Sequence, residues 1–92
     1  MKLAEGYELE EAGNEARVLK RPGGYVLATF GSGVRPENIQ RIAEADKKQL
    51  QAIKAQRKFA LEGDPETTAM FKQAVREART EYIQALKAAY SE

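Results

Sequence analysis

The sequence predicts an α+β domain in which a small antiparallel β-meander of two or three strands precedes a long antiparallel two-helix hairpin. Short apolar stretches separated by turn residues fill the first third of the chain. From Pro36 onward, apolar residues recur every three or four positions, which is the spacing of an amphipathic helix. A single Gly-Asp-Pro stretch divides this helical pattern. Two helices joined by so short a connection are expected to be antiparallel neighbours.

Three segments of the N-terminal third predict the meander. Strands are expected at residues 7–10, 16–20 and 25–30, where apolar, aromatic and β-branched residues concentrate. Residues 12–15 form the first predicted turn. The second turn is Arg21-Pro22-Gly23-Gly24, because proline presets φ and glycine tolerates the positive φ of hairpin turns. Consecutive strands with short turns give an antiparallel order.

Terminal signals place the two helices. Pro36 suits the first position of a helix, because the donor that proline lacks is not needed there. The first helix is expected to run to about Glu62, and Gly63 is a typical C-terminal stop. Asp64 is the expected N-cap of the second helix, with Pro65 in its first turn. The chain is therefore expected to be one domain over 1–92, with the meander in 1–33 and the hairpin in 34–92.

The predicted lengths of sheet and helices differ. A helix of about 26 residues is about 39 Å long, whereas a six-residue strand covers about 20 Å. The sheet should therefore pack on residues 36–50 and 78–90 only, and the tip of the hairpin should project as an arm. Two helices cannot fully bury both apolar stripes by themselves, so this arm is expected either to be weakly stable or to pack on another chain. The expected interface residues are Ile53, Arg57, Phe59, Leu61, Met70 and Phe71.

Composition limits the chemistry that this chain is expected to perform. The 92 residues include no cysteine and no histidine, so disulfides, thiolate chemistry and imidazole ligands are absent. The remaining carboxylates, tyrosines and lysines form no recognisable catalytic set. We therefore expect a protein that is not an enzyme and binds no metal or cofactor. The chain lacks both an apolar run that would span a membrane and the apolar region of a secretory signal, which predicts an intracellular, cytoplasmic protein.

The stretch Gly31-Ser32-Gly33 stands between the last predicted strand and the first helix, which is where phosphate-binding loops lie. A Walker loop would require a lysine followed by serine or threonine, and a dinucleotide fingerprint would require a third glycine within a βαβ unit. The sequence satisfies neither requirement. The stretch is therefore interpreted as a corner, with an anion site at Arg35 and the helix N-terminus as the alternative.

Charge is distributed unevenly along the chain, although the net charge is only +1. Residues 1–15 hold five glutamates and one lysine, whereas residues 16–58 hold ten basic and three acidic side chains. Such a basic region can serve as a phosphate-binding surface or as an ordinary solvated helix face. The candidate residues of this basic face are Arg41, Lys47, Lys48, Lys54 and Lys58.

Two charged residues interrupt the apolar stripe of the first helix. Asp46 is expected to accept a hydrogen bond from Tyr82 or Arg79, which would make Asp46 and Tyr82 a structural polar pair. Arg57 is expected to lay its aliphatic stem over Phe71. A lone carboxylate is weak evidence for catalysis, because general acid–base chemistry usually needs a second positioned group. Both residues therefore predict structural or interface roles.

These features together predict a non-enzymatic protein–protein interaction or assembly module. The expected partner is another protein, and most simply a second copy in a homo-oligomer, with a dimer favoured. The alternative is an accessory protein that binds nucleic acid through the basic face of the first helix.

Overall fold

The structure is a computed structural model that describes residues 3–60 and 63–91, without the side chain of Ala60. It contains the strands β1 (Glu8–Glu11), β2 (Arg17–Lys20) and β3 (Val26–Phe30), followed by the helices α1 (Pro36–Ala60) and α2 (Pro65–Tyr90). The strands form one antiparallel sheet in the order β1-β2-β3. The predicted α+β arrangement is confirmed, and each strand begins and ends within one residue of its expected position.

Two tight turns connect the strands, and both have the backbone conformations that hairpins require. In the first, Asn14 and Glu15 have φ angles of 63° and 61°, and the Ala16 amide donates to the Gly13 carbonyl at 3.4 Å. Positive φ at both central positions is typical of a type I′ turn. In the second, the Gly24 amide donates to the Arg21 carbonyl at 2.9 Å. Both predicted turns are therefore present.

One face of the sheet packs on the helices. Leu19 lies between Leu9 of β1 and Ala28 of β3 in the strand register, and it is completely buried. The register shifts after Leu19, because Lys20 pairs with Val26. Leu27 is therefore the extra residue of a β-bulge, a feature that increases the local twist.

The N-terminus of α2 has the predicted cap. The Asp64 carboxylate accepts hydrogen bonds from the Glu66 amide at 3.1 Å and from the Thr67 hydroxyl at 2.6 Å. These hydrogen bonds lower the pKa of Asp64, and the bond from Thr67 has the largest effect. Gly63 precedes the cap with a φ of 72°, a conformation that favours glycine. The predicted end of the first helix near Glu62 lies outside the described residues.

The hydrophobic core lies at the end of the hairpin where α1 begins and α2 ends. Phe30 from the sheet and Ile39 and Ile42 from α1 are buried, and Ala85 and Ala89 are the fully buried residues of α2. The small side chains of α2 allow close approach of the helices. These positions fall within the predicted contact regions, 36–50 and 78–90. The molecule is 50 Å long, so the other end of the hairpin extends past the sheet.

The end of α2 is attached to the outer edge of β3. The Tyr90 ring stacks on Phe30 with ring centroids 5.6 Å apart, and its hydroxyl donates to the Thr29 carbonyl at 3.1 Å. Among the described residues, β3 pairs with β2 alone, so this bond holds the end of α2 beside an edge strand of the sheet.

Candidate functional site

The distal arm, defined as residues 50–60 of α1 and 65–75 of α2, is the part of the hairpin beyond the sheet. Phe59 and Phe71 are half-buried and stack face to face, with centroids 4.7 Å apart and planes 3° from parallel. The Lys58 ammonium lies 5.6 Å from the centroid of Phe59. Met70 is 68% exposed. The arm therefore presents apolar side chains beside an aromatic contact between its two helices.

The other expected interface residues vary in exposure. Ile53 is half-buried and Arg57 is exposed, whereas Leu61 lies outside the described residues. The aromatic ring of Phe71 contacts that of Phe59, and the expected packing of the Arg57 stem on Phe71 stays a prediction. Folding the hairpin evenly about Gly63-Asp64 predicts contacts between the helices that are two or three residues out of register with those of Phe59 with Phe71 and of Lys48 with Glu81.

The five candidates for the basic face do not lie on one side of α1. At 100° per residue, Lys47, Lys54 and Lys58 fall within about 40° of one another, whereas Arg41 and Lys48 point about 100° away. Lys48 lies 3.5 Å from Glu81 of α2. Arg41 and Lys48 share a surface depression with Glu44 and Glu81. The residues Arg41, Lys47, Lys48, Lys54 and Lys58 are all exposed. Nucleic-acid binding by this helix stays a prediction.

The Asp46 carboxylate is the centre of a buried polar network. It is fully buried and accepts a 2.6 Å hydrogen bond from the Tyr7 hydroxyl. The Arg21 guanidinium binds both carboxylate oxygens, through Nε at 2.8 Å and Nη2 at 2.7 Å. The Gln49 amide adds a fourth bond at 3.2 Å. Four donors compensate the burial of this charge, because a buried carboxylate is costly unless it is paired and hydrogen-bonded.

This network joins three separate parts of the chain. Tyr7 lies just before β1, Arg21 begins the turn between β2 and β3, and Asp46 is in the middle of α1. Burial has the largest effect in raising the pKa of the Tyr7 hydroxyl, and the hydrogen bond to Asp46 has the second largest. The hydrogen bond to Asp46 likewise raises the pKa of Arg21. The aromatic ring of Tyr25 lies 5.2 Å from the Arg21 guanidinium carbon. The network therefore holds the N-terminal segment and one sheet turn on α1.

The expected hydrogen bond from Tyr82 to Asp46 is not present among the described residues, so this prediction is wrong. The tyrosine hydroxyl that reaches Asp46 belongs to Tyr7, 39 residues away in sequence. Tyr82 is half-buried, and its pKa is raised by burial first and by the negative charge of Asp46 second. Arg79 is exposed. The position of Asp46 on the apolar stripe indicated a buried hydrogen-bond partner, and the pairing of the two helices predicted that this partner would lie on α2. The two strong donors, Tyr7 and Arg21, instead come from the β-meander.

Arg17 binds the corner at Gly31-Ser32-Gly33. Its Nη2 donates to the carbonyls of Gly31 at 3.1 Å and of Val34 at 2.6 Å. Neither Gly31 nor Gly33 has a positive φ, and a Cβ at either position would meet no atom within 4 Å. Cross-linking by Arg17 is consistent with the interpretation of this stretch as a structural corner, although the corner does not depend on glycine for its conformation.

A second candidate surface, which we term the α2 groove, was not predicted from the sequence. It is a depression of about 440 Å³ that includes the cationic side chains of Lys72, Arg76 and Arg79 and the apolar side chains of Val75 and Ile83. None of the three cations forms an ion pair or a side-chain hydrogen bond within the described part of the chain. The spacing of these cations, four and three residues apart, was the available signal, because such residues share one helix face.

Within 3–60 and 63–91, no cluster of three or more acidic side chains has a geometry that would hold a metal ion. In the same ranges, neither helix combines the length and the apolar character needed to span a bilayer. Comparison of the chain with protein-family models, with curated proteins and with solved structures finds no match.

Proposed function

We propose that this chain is an intracellular, non-enzymatic protein–protein interaction module that self-associates through the distal arm. The observation that carries the proposal is the 68% exposure of Met70 beside the half-buried stack of Phe59 and Phe71. Apolar side chains concentrated at one end of a projecting hairpin are typical of a contact surface. A second copy would cover them and complete the packing that the sheet provides at the other end.

The composition of the arm fits an interface that can form and dissociate. Methionine is flexible and adapts to irregular surfaces, and half-buried aromatic side chains supply large contact areas. Lys58, next to Phe59, and Arg57 provide a charged margin around this apolar centre. Interfaces commonly combine such an apolar centre with a polar rim. Self-association through the arm would therefore bury Met70 while the cations remain in water.

Sedimentation equilibrium tests this proposal. Wild type should show a mass above that of the monomer at tens of micromolar, and Met70→Glu should raise the dissociation constant by about tenfold or more, since it buries an unpaired charge. Gln84→Glu is the matched control, because it adds the same charge to an exposed position of α2 near the sheet. A wild-type mass that stays monomeric over this range would contradict the proposal.

Amide hydrogen exchange provides a second, residue-specific measurement. Exchange at residues 54–60 and 65–72 should be slow in concentrated samples and should become fast on dilution, because the arm loses its partner. Exchange in the buried segment around Ile42 should not change, since the sheet covers it in every state. Slow exchange in the arm that is independent of concentration would mean that the monomer protects the arm by itself.

A further inference from the structure

We propose that the α2 groove binds the acidic edge strand β1 of a second copy of this chain. This inference rests on the proposed self-association and names the element that the partner contributes. It assigns a ligand to Lys72, Arg76 and Arg79, three cations that have no acidic partner within the described part of their own chain.

The groove combines charge with an apolar wall. Its three cations lie on consecutive turns of α2, with Val75, which is 7% exposed, and Ile83, which is 49% exposed, beside them. Arginine and lysine form strong, short hydrogen bonds with carboxylates, and the bonds are stronger where water is partly excluded. The surface therefore favours an acidic ligand that also makes apolar contacts.

The N-terminal segment of the same chain has the complementary composition. Residues 5–15 contain five glutamates and no basic residue. Glu8 and Glu11 of β1 are exposed, and no ion pair holds either of them in the described structure. As an edge strand, β1 has only β2 as its neighbour, so its outer carbonyls can also accept hydrogen bonds from arginine and lysine.

The dimensions of the two surfaces agree. From Glu8 to Glu11 the strand advances by about 10 Å at 3.4 Å per residue, and the two side chains project from opposite faces of β1, so both border its outer edge. From Lys72 to Arg79 the helix advances by about 10 Å at 1.5 Å per residue. Lys47 and Lys54 of α1 are also about 10 Å apart, so length alone does not distinguish the two surfaces. The α2 groove is preferred because Val75 and Ile83 add apolar contacts beside its cations.

The position of β1 explains why the partner is another molecule. The hydrogen bond from Tyr7 to Asp46 holds the start of β1 on α1, and no residue of β1 is among those that line the groove of its own chain. Pairing of two β1 edges with each other would bring glutamates of both copies together, which is unfavourable for strands. Contact between the acidic edge of one copy and the basic groove of another avoids this repulsion and pairs the unpaired charges of both.

Charge reversal on each surface, followed by mixing, tests the proposal. The groove variant carries Arg76→Glu with Arg79→Glu, and the strand variant carries Glu8→Lys with Glu11→Lys. Each variant alone should associate about tenfold more weakly than wild type, because like charges then face each other. An equimolar mixture should recover association to within about threefold of wild type, since each variant supplies the complement of the other. Arg41→Glu with Lys47→Glu, at exposed positions of α1 outside the distal arm, is the control and should associate like wild type.

The outcomes separate this inference from the proposed function. A monomeric wild type contradicts both. Association that Met70→Glu weakens, but that neither charge-reversed variant affects, contradicts only the strand-to-groove contact. Failure of the mixture to recover association also overturns the contact. Circular dichroism verifies that the variants fold, and wild-type association should weaken as salt is raised from low to molar concentration. Salt-independent association would overturn the contact even if a variant failed to fold.

Discussion

The Arg21 guanidinium forms a two-point ion pair with the fully buried carboxylate of Asp46, 25 residues further along the chain. The two bonds fix both the position and the orientation of the sheet turn on α1, because two N–H groups of the planar guanidinium donate to the two oxygens of the planar carboxylate. With the Tyr7 hydroxyl on the same carboxylate, the pair makes a residue of α1 the anchor for two segments of the meander.

Tyrosine substitutions should distinguish the two hydroxyls near this anchor. Tyr7→Phe removes a hydrogen bond to a buried charge and should lower the free energy of unfolding by about 2 kcal/mol. Tyr82→Phe should cost less than about 0.5 kcal/mol, because its hydroxyl makes no bond to Asp46 in the structure. Urea denaturation of both variants measures these differences. Equal losses for the two variants would show that Tyr82 shares the carboxylate.

Alkaline pH should destabilise the fold. The pKa of Tyr7 is raised above its ordinary value of 10.0, mainly by burial. The unfolded chain therefore releases this proton at a lower pH than the folded chain does. The stabilisation is fully present below about pH 10 and is lost as pH rises toward the folded pKa. Thermal unfolding of wild type and Tyr7→Phe between pH 8 and 11 tests this, and the variant should show a shallower decline. Tyr25→Phe, at an exposed ring, is the control.

Two glycine substitutions should have opposite effects. Gly6 has a φ of +83°, and a Cβ there would lie 2.8 Å from Cγ of Pro22. Gly6→Ala should therefore destabilise the protein by more than the roughly 1–2 kcal/mol of a left-handed φ alone. Gly33→Ala should be neutral or stabilising by up to about 1 kcal/mol, because its backbone suits any residue and nearby space is open. Thermal melts compare them, and a tolerated Gly6→Ala would show that the Pro22 turn can move.

The first hairpin turn can be improved. Glu15 occupies a left-handed conformation with a φ of 61°, which glycine adopts without the steric cost that a Cβ imposes. Glu15→Gly should raise the free energy of unfolding by about 0.5–1 kcal/mol. Glu15→Ala, which removes the same charge but keeps the Cβ, should not. If alanine stabilised as much as glycine, repulsion among the nearby glutamates would be the cause.

The sequence allowed the elements to be predicted because their signals are local. Pro36, Asp64 and the Pro22-Gly23-Gly24 turn each act on the adjacent backbone, so the strands and helices begin where those residues indicate. The side-chain partners were harder to predict. The bonds from Tyr7 and Arg21 to Asp46 depend on how the sheet lies across α1, and no periodicity within one element reports that orientation.

The site residues illustrate the same limit. The positions of Phe59 and Phe71 in the sequence predicted that both lie near the tip of the hairpin. Their stacking depends on the register of the two helices, which differs by two or three residues from that of a hairpin folded evenly about Gly63-Asp64. The α2 groove was not predicted, because Arg79 was expected to reach Asp46 and no local signal marks Lys72 and Arg76 as neighbours of a depression. Only the three-dimensional arrangement reveals that these cations surround a depression and lack partners within the described part of the chain.

The attachment of Tyr90 to β3 also has a consequence for aggregation. Tyr25 and Val26 are exposed at the start of this strand, and the sequence YVLATF contains no charge. Short uncharged segments of high β-propensity form amyloid-like stacks when their edges are free. A chain truncated before Tyr90 would lose both the ring on Phe30 and the hydroxyl on Thr29. Such a chain should form thioflavin-positive fibrils more readily than the full sequence, so the end of α2 also protects the sheet against fibril formation.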